Sequence, residues 1–236
     1  MSSEETLRAE LVTTARQLHA SGWVANHDGN VSARLGDHFL ATPTSMSKGA
    51  VSAEMLIVVD GEGELVSGTR KGFSELKLHL AAYRIRPDVH CVIHAHPPTA
   101  TGFAVAQVEL GPPFMAEPVV SLGRRIPLVP FSMEPDLQEL EEADALMLAN
   151  HGVLTVGPDL ETALLRMELV EHLAKIALVA RQLGGPVALP EDLVAQLHEK
   201  HEGIFEREAD SPAESTWTRR SGSATSIVAD ALKRHS

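Results

Sequence analysis

The sequence predicts a mixed α/β fold in which helices cover a mainly antiparallel sheet, and three observations carry this. Pairs of short apolar runs flank glycine turns at Gly36-Asp37 and Gly61-Glu62-Gly63, as antiparallel hairpins do. Further short β-branched or apolar runs surround the histidine-bearing segments near residues 94 and 151. Between and after them, longer stretches repeat apolar residues at the 3–4 spacing of a helix face.

Taken in order, Leu7, Leu11, Ala15 and Leu18 mark a first helix, with Ser2 and Glu5 as a capping box and Gly22 as its stop. Strands follow over 31–35, 38–42, 55–59 and 64–66. Residues 74–84 read as a helix ending near Pro87, which blocks its continuation into the strand over 89–93. A helix over about 98–107 and strands over 126–129, 146–148 and 153–156 come next. Asp159 is placed to cap a long helix whose core face is Leu160, Ala163, Leu164, Met167, Val170, Ala174, Ala177 and Leu178, closed by Gly184-Gly185-Pro186. A last helix is predicted over 193–207. From 210 to 236 the chain turns to Ser, Thr, Ala and charge without periodicity, so the expected organisation is one domain over 1–209 and a mobile or partner-dependent tail.

At 236 residues the chain is long enough for one sizeable core, and 44% hydrophobic with 22% charged residues argues against disorder. Twenty basic against 32 acidic residues give a net charge of -12, a field that repels phosphates. That disfavours non-specific binding to nucleic acid or anionic membranes. Cys91 is the only cysteine, inside an apolar strand, so it is expected to be a buried core residue and not a bridge or nucleophile. The polar start Met1-Ser2-Ser3-Glu4-Glu5 lacks a basic or apolar leader, and no run reaches membrane-spanning length, so a cytoplasmic protein is expected.

The most informative residues are His94 and His96, in Val92-Ile93-His94-Ala95-His96-Pro97. Alternate residues of a strand face one side, so two imidazoles there can share a metal. Ala149-Asn150-His151-Gly152 places a third histidine at the end of another predicted strand, and Phe73-Ser74-Glu75 opens a helix with a carboxylate. Three histidines and a carboxylate at element ends can make a zinc site with a neighbouring base. Each also has a plainer reading: strand polar residues for the histidines, and a first-turn acid favoured by the helix dipole for Glu75.

These segments, with Gly29-Asn30-Val31-Ser32-Ala33-Arg34 and Thr42-Pro43-Thr44-Ser45, occur in the order found in the class II aldolase/adducin family, typified by L-fuculose-phosphate aldolase. The chain resembles that family from about residue 5 to about 185. The resemblance implies an α/β/α sandwich with a central, mainly antiparallel sheet. It also implies Zn2+ held by His94, His96 and His151, with Glu75 as the catalytic acid/base. It assigns Gly29, Asn30, Thr44, Ser45 and Ser74 to a loop site for the substrate phosphate, and it implies a homotetramer with sites near subunit boundaries. Lys48 lies in a loop used near the anion; a phosphate or carboxylate contact and a surface position are both open.

Two departures stand out. Family members commonly carry two serines before the glutamate, whereas the first here is Phe73, which donates no hydrogen bond, so the ligand's anion can be a carboxylate or absent. A tyrosine from a neighbouring subunit is thought to act as proton donor in such enzymes; its position falls near Phe114, and the one tyrosine, Tyr83, lies in the helix after Glu75. Arg124, Arg125, His27 or water are substitutes, although the arginines read more simply as surface ion pairs and His27 as an exposed loop residue. Lys71 and Lys77 read as solvated and His90 as a strand residue, while His79, at i+4 from Glu75, is placed to orient it.

The function implied is a zinc-dependent, aldolase-type lyase that makes or breaks a C–C bond in a small hydroxy-ketone or sugar phosphate through a metal-stabilised enediolate. Epimerases, dehydratases and decarboxylases of the superfamily are the nearest alternatives. A non-enzymatic, adducin-like binding protein is disfavoured, because all three histidines are present and a long basic tail is not.

Overall fold

A computed structural model describes residues 3–209. Ser2 of the expected capping box and the tail over 210–236 lie outside the described residues. The first helix, α1 (Ser3–Ala20), leads into the hairpin β1 (Asn30–Leu35) and β2 (His38–Ala41), then β3 (Ile57–Val59) and β4 (Leu65–Ser67). Helix α2 (Leu76–Ile85), strand β5 (Cys91–Ala95) and helix α3 (Pro98–Val105) follow. The second half comprises α4 (Ala116–Leu122), β6 (Leu128–Val129), β7 (Ala145–Leu148), β8 (Gly152–Gly157), α5 (Leu160–Gln182) and α6 (Glu191–Ala209).

The strands form one eight-stranded sheet in the order β4-β3-β2-β1-β5-β8-β7-β6. Every pairing is antiparallel except β6 with β7. Its two faces are covered by different helices. On β5, Cys91, Ile93 and Ala95 join the apolar cluster with Leu11, Ala15 and Leu18 of α1, Phe103 of α3 and Met167 of α5. Val92 points the other way, among Leu76, Leu80 and Tyr83 of α2 and Val156 of β8. By the same alternation His94 faces the α2 side of the sheet.

Asp159 caps α5 as expected, accepting from the Thr162 amide at 2.6 Å. Leu178, expected in the core, is instead 45% exposed, while Leu173 is buried. At about 1.5 Å per residue the 23-residue helix is roughly 34 Å long, against about 20 Å for a six-residue strand. Its C-terminal turns therefore run past the sheet they cover. The strand expected over 55–59 begins only at Ile57, because Ala53–Met55 form a 3-10 turn. Helix α4 was not anticipated. It carries Pro118 in its first turn, where the missing N–H has no partner to lose, and its Ala116, Val119 and Val120 pack on Leu193, Val194 and Leu197 of α6. No helix among the described residues is long and apolar enough to cross a membrane.

A buried ionic cluster anchors β7. Asp144, 1% exposed, meets Arg86 at 3.2 Å and Arg166 at 2.6 Å, and Arg86 also pairs with Asp88 at 2.8 Å. Asp144→Ala should destabilise the protein by about 3–5 kcal/mol, since it removes one partner of a buried, hydrogen-bonded charge pair. Urea unfolding measures this; a loss below about 1 kcal/mol would show that the arginines are satisfied without it.

Candidate active site

The centre of the site is the C-terminal end of β5. His94 is buried, and its Nδ1 lies 3.0 Å from the Val153 carbonyl on β8. A carbonyl only accepts, so Nδ1 carries the proton and Nε2 presents a lone pair. His96 repeats the logic: its Nδ1 is 3.0 Å from Oδ2 of Asp28, while its amide donates to Trp23 O at 2.8 Å. The two Nε2 atoms face each other at 3.0 Å. Two lone pairs at that distance repel unless a cation or a proton lies between them, which is the donor arrangement a metal ion satisfies.

His151 arrives from the β7–β8 turn, where Asn150 takes the left-handed conformation (φ 56°) that asparagine tolerates. Its ring lies 4.6 Å from that of His94, and the ligand nitrogens of the three histidines fall within 4.8 Å of one another. Gly152 is what lets them close. A Cβ there would stand 2.5 Å from Cδ2 of His96 and 2.6 Å from the Ala95 carbonyl. Gly29 has a similar constraint, with φ 68° and a Cβ position 2.3 Å from Val24.

Glu75 ends the loop before α2 and reaches the histidines from the opposite element. Its Oε1 accepts from Nε2 of His151 at 3.1 Å; its Oε2 accepts from Nδ2 of Asn30 at 2.7 Å and lies 3.5 Å from Nε2 of His94. Burial works to raise its pKa, but the hydrogen bonds from His151 and Asn30 and the positive field of the histidines outweigh it and hold the carboxyl far below its usual range. Burial, reinforced by His96 and His151 and opposed by Glu75, lowers His94 to about 3. At pH 7 the site therefore offers a carboxylate beside a neutral buried imidazole.

Asn30 and Ser32 alternate on β1, and Glu75, His79 and Tyr83 follow at i, i+4 and i+8. The structure joins them: His79 bonds Asn30 Oδ1 at 2.6 Å and Ser32 Oγ at 2.7 Å, and Ser32 Oγ bonds the Tyr83 hydroxyl at 2.9 Å. His79 thus reaches Glu75 through Asn30. Burial, with the charge of His94 adding and Glu75 opposing, lowers His79 to about 3. Phe73 is buried edge-on against the His79 ring, 5.0 Å between centroids.

The loop residues spread more widely. The Thr44 amide donates to Lys71 O at 3.0 Å, Ser45 is exposed with φ 57°, and Ser74 is exposed beside Glu75. Lys48 is not a surface residue: it is 2% exposed, and its ammonium donates to the carbonyls of His27 at 3.1 Å and Met46 at 2.9 Å. Burial lowers its pKa, against the pull of Asp28 and Glu75. Arg124 pairs with Glu191 and Arg125 with Glu139 on the surface, His27 is exposed, and Cys91 is buried, all as read from the sequence. Phe114 packs partly buried against the core in a small cavity with Met115, Val119 and Leu173.

Sequence reasoning missed Asp28, Ser32 and Tyr83 as parts of the site, and the steric role of Gly152. The signal for Ser32 and Tyr83 was available in the matched spacings on β1 and α2. Asp28 lies in a loop and carries no periodic mark.

Comparison with known proteins identifies the family of this fold. The family model described as class II aldolase and adducin N-terminal domain matches residues 9–178. A methylthioribulose-1-phosphate dehydratase of Methylococcus capsulatus is 32% identical over 187 residues, covering 72% of this chain and 91% of its own. A 3-oxo-tetronate 4-phosphate decarboxylase of Escherichia coli is 32% identical over 188 residues, covering 75% and 88%. The solved structure of an L-fuculose 1-phosphate aldolase superposes with a TM-score of 0.77 at 27% identity, covering 86% of this chain and 98% of that one. The α/β/α sheet architecture is shared with that neighbour. The chain belongs to the class II aldolase and adducin family.

Proposed function

We propose that this chain is a divalent-metal-dependent lyase of the aldolase type, with zinc as its metal, acting on a small hydroxy-ketone or sugar phosphate. The observation that carries the reading is Glu75, a partly buried carboxylate 3.1 Å from His151 and 3.5 Å from His94, beside imidazoles whose ligand nitrogens converge. His94, His96 and His151 would hold the metal, which when bound would act as a Lewis acid toward carbonyl and hydroxyl oxygens.

In the bond-forming direction Glu75 would take the proton next to the ketone carbonyl, giving an enediolate whose carbon adds to an aldehyde. In the reverse direction the C–C bond breaks, the aldehyde leaves, and Glu75 returns the proton to the enediolate. His151 cannot donate from Nε2 to Glu75 and use that nitrogen as a ligand at once. Its commitment as a ligand would free Oε1 of Glu75 from that hydrogen bond. Asn30 keeps Oε2 engaged, so Oε1 is the reacting oxygen. Asp28 fixes the tautomer and ring orientation of His96. Lys48 ties the loops carrying His27 and Met46 together and sets a positive charge near the anion site formed with Gly29, Asn30, Thr44, Ser45 and Ser74.

A second reading is favoured by the two 32% identical relatives and by Phe114 lying near the position of the expected proton-donating tyrosine: dehydration begun by the same proton abstraction, or decarboxylation, in which loss of CO2 generates the enediolate and Glu75 in its protonated form then supplies a proton. Family membership also supports a homotetramer in the cytoplasm.

Purified protein is expected to hold about one zinc per chain, and His94→Ala or His151→Ala to lose it by elemental analysis. Asp28→Asn should weaken zinc binding roughly 10–100-fold, read by chelator competition. Metal retention in both histidine variants would remove the assignment. Glu75→Gln should keep the metal yet lose most exchange of a hydroxy-ketone α-hydrogen in heavy water, because an amide accepts no proton; undiminished exchange would refute its role. Cleavage of fuculose 1-phosphate should be poor in the native protein and rise in Phe114→Tyr, whereas efficient native cleavage would mean that another group supplies the donor.

A further inference from the structure

The hydrogen bonds behind Glu75 have a direction that can be worked out from donors and acceptors alone. A carboxylate only accepts, so the 2.7 Å contact with Asn30 is donated by Nδ2 and leaves Oδ1 of Asn30 facing His79. Oδ1 only accepts, so the His79 nitrogen 2.6 Å away, Nε2, carries the proton. The ring is fully buried and hydrogen-bonded to the uncharged Asn30 and Ser32, which keeps it neutral. Nδ1 is therefore a lone pair, and Ser32 donates to it at 2.7 Å. With its proton so used, Ser32 receives one from Tyr83 at 2.9 Å; the alternative acceptor for Tyr83, the His90 carbonyl, is more distant at 3.5 Å.

We infer that Tyr83, Ser32, His79 and Asn30 form a one-way chain of donors ending on Oε2 of Glu75, and that His79 is its positioning residue, fixing which way the Asn30 amide faces. The amide group of asparagine is nearly symmetric in shape, and without His79 it can turn its carbonyl to the carboxylate, replacing attraction by repulsion. Asn30 passes no proton, so the chain orients Glu75 and does not relay protons. Register places it well for this: Asn30 pairs with His94 and Ser32 with Val92 across β1 and β5. Phe73, packed on the His79 ring, and the burial of His79, Ser32 and Tyr83 keep water from supplying substitute bonds.

The inference rests on Glu75 being the base, and the test separates the two claims. Nitrogen-15 spectra of the full chain with labelled histidine should show His79 protonated at Nε2 and bare at Nδ1; the opposite tautomer would overturn the chain. In heavy water with zinc-loaded protein and dihydroxyacetone phosphate as probe, His79→Phe should lower the exchange kcat roughly 10–100-fold with KM and zinc content unchanged. His79→Gln, whose amide can donate to Asn30 and accept from Ser32, should recover most of that loss. Smaller losses are expected in the order Ser32→Ala then Tyr83→Phe, and these variants carry the kinetic test if His79→Phe does not fold. Unchanged kcat in His79→Phe, or a loss that Gln does not recover, would contradict the positioning role. If the native protein exchanges no hydrogen, the functional reading fails, and the tautomer alone decides whether the chain exists.

Discussion

Two imidazole nitrogens that face each other at 3.0 Å, with the opposite nitrogen of each ring already donating, form the constraint around which this region is built. Nothing in a neutral, metal-free protein favours that approach, so the surroundings must enforce it. The β1–β5–β8 pairing supplies the Val153 carbonyl, the loop before β1 supplies Asp28, and Gly29 and Gly152 remove the side chains that would hold the backbones apart. A glycine that any other residue would turn into a clash marks where the fold gives up freedom of sequence for close approach.

The helix side answers the strand side. Strand alternation sends His94 to the face covered by α2, and the loop entering α2 brings Glu75 to it. The polar line Asn30, Ser32, His79 and Tyr83 then runs through an otherwise apolar layer. Buried polar groups are costly unless paired, and here each has a partner. The layer is therefore polar where it supports the carboxylate and apolar where it supports the sheet.

Much of this was legible in the chain. The hairpin at Gly36-Asp37, the Asp159 cap and the strand ends bearing His94 and His151 are local features, each set by residues within a few positions of one another. The residues that escaped notice act across the fold. Asp28 matters only because the chain after β5 bends to Trp23, and His79 reaches Glu75 through Asn30 on another element, not along its own helix. Lys48 read equally well as a surface or a site residue until the two carbonyls that hold it were seen. Leu178 shows the limit of periodicity: the pattern continues along α5 beyond the sheet that would bury it. Helix α4 was hidden by prolines, which are tolerated in a first turn.

Family relatives include a dehydratase, a decarboxylase and an aldolase on one shared fold. In every case the proposed chemistry needs the three histidines to act together on one metal beside Glu75. X-ray absorption at the zinc edge of the loaded native protein tests this most directly. The expected result is three imidazole nitrogens at about 2.0–2.1 Å with the remaining coordination from oxygen; a shell with one imidazole or none would contradict it.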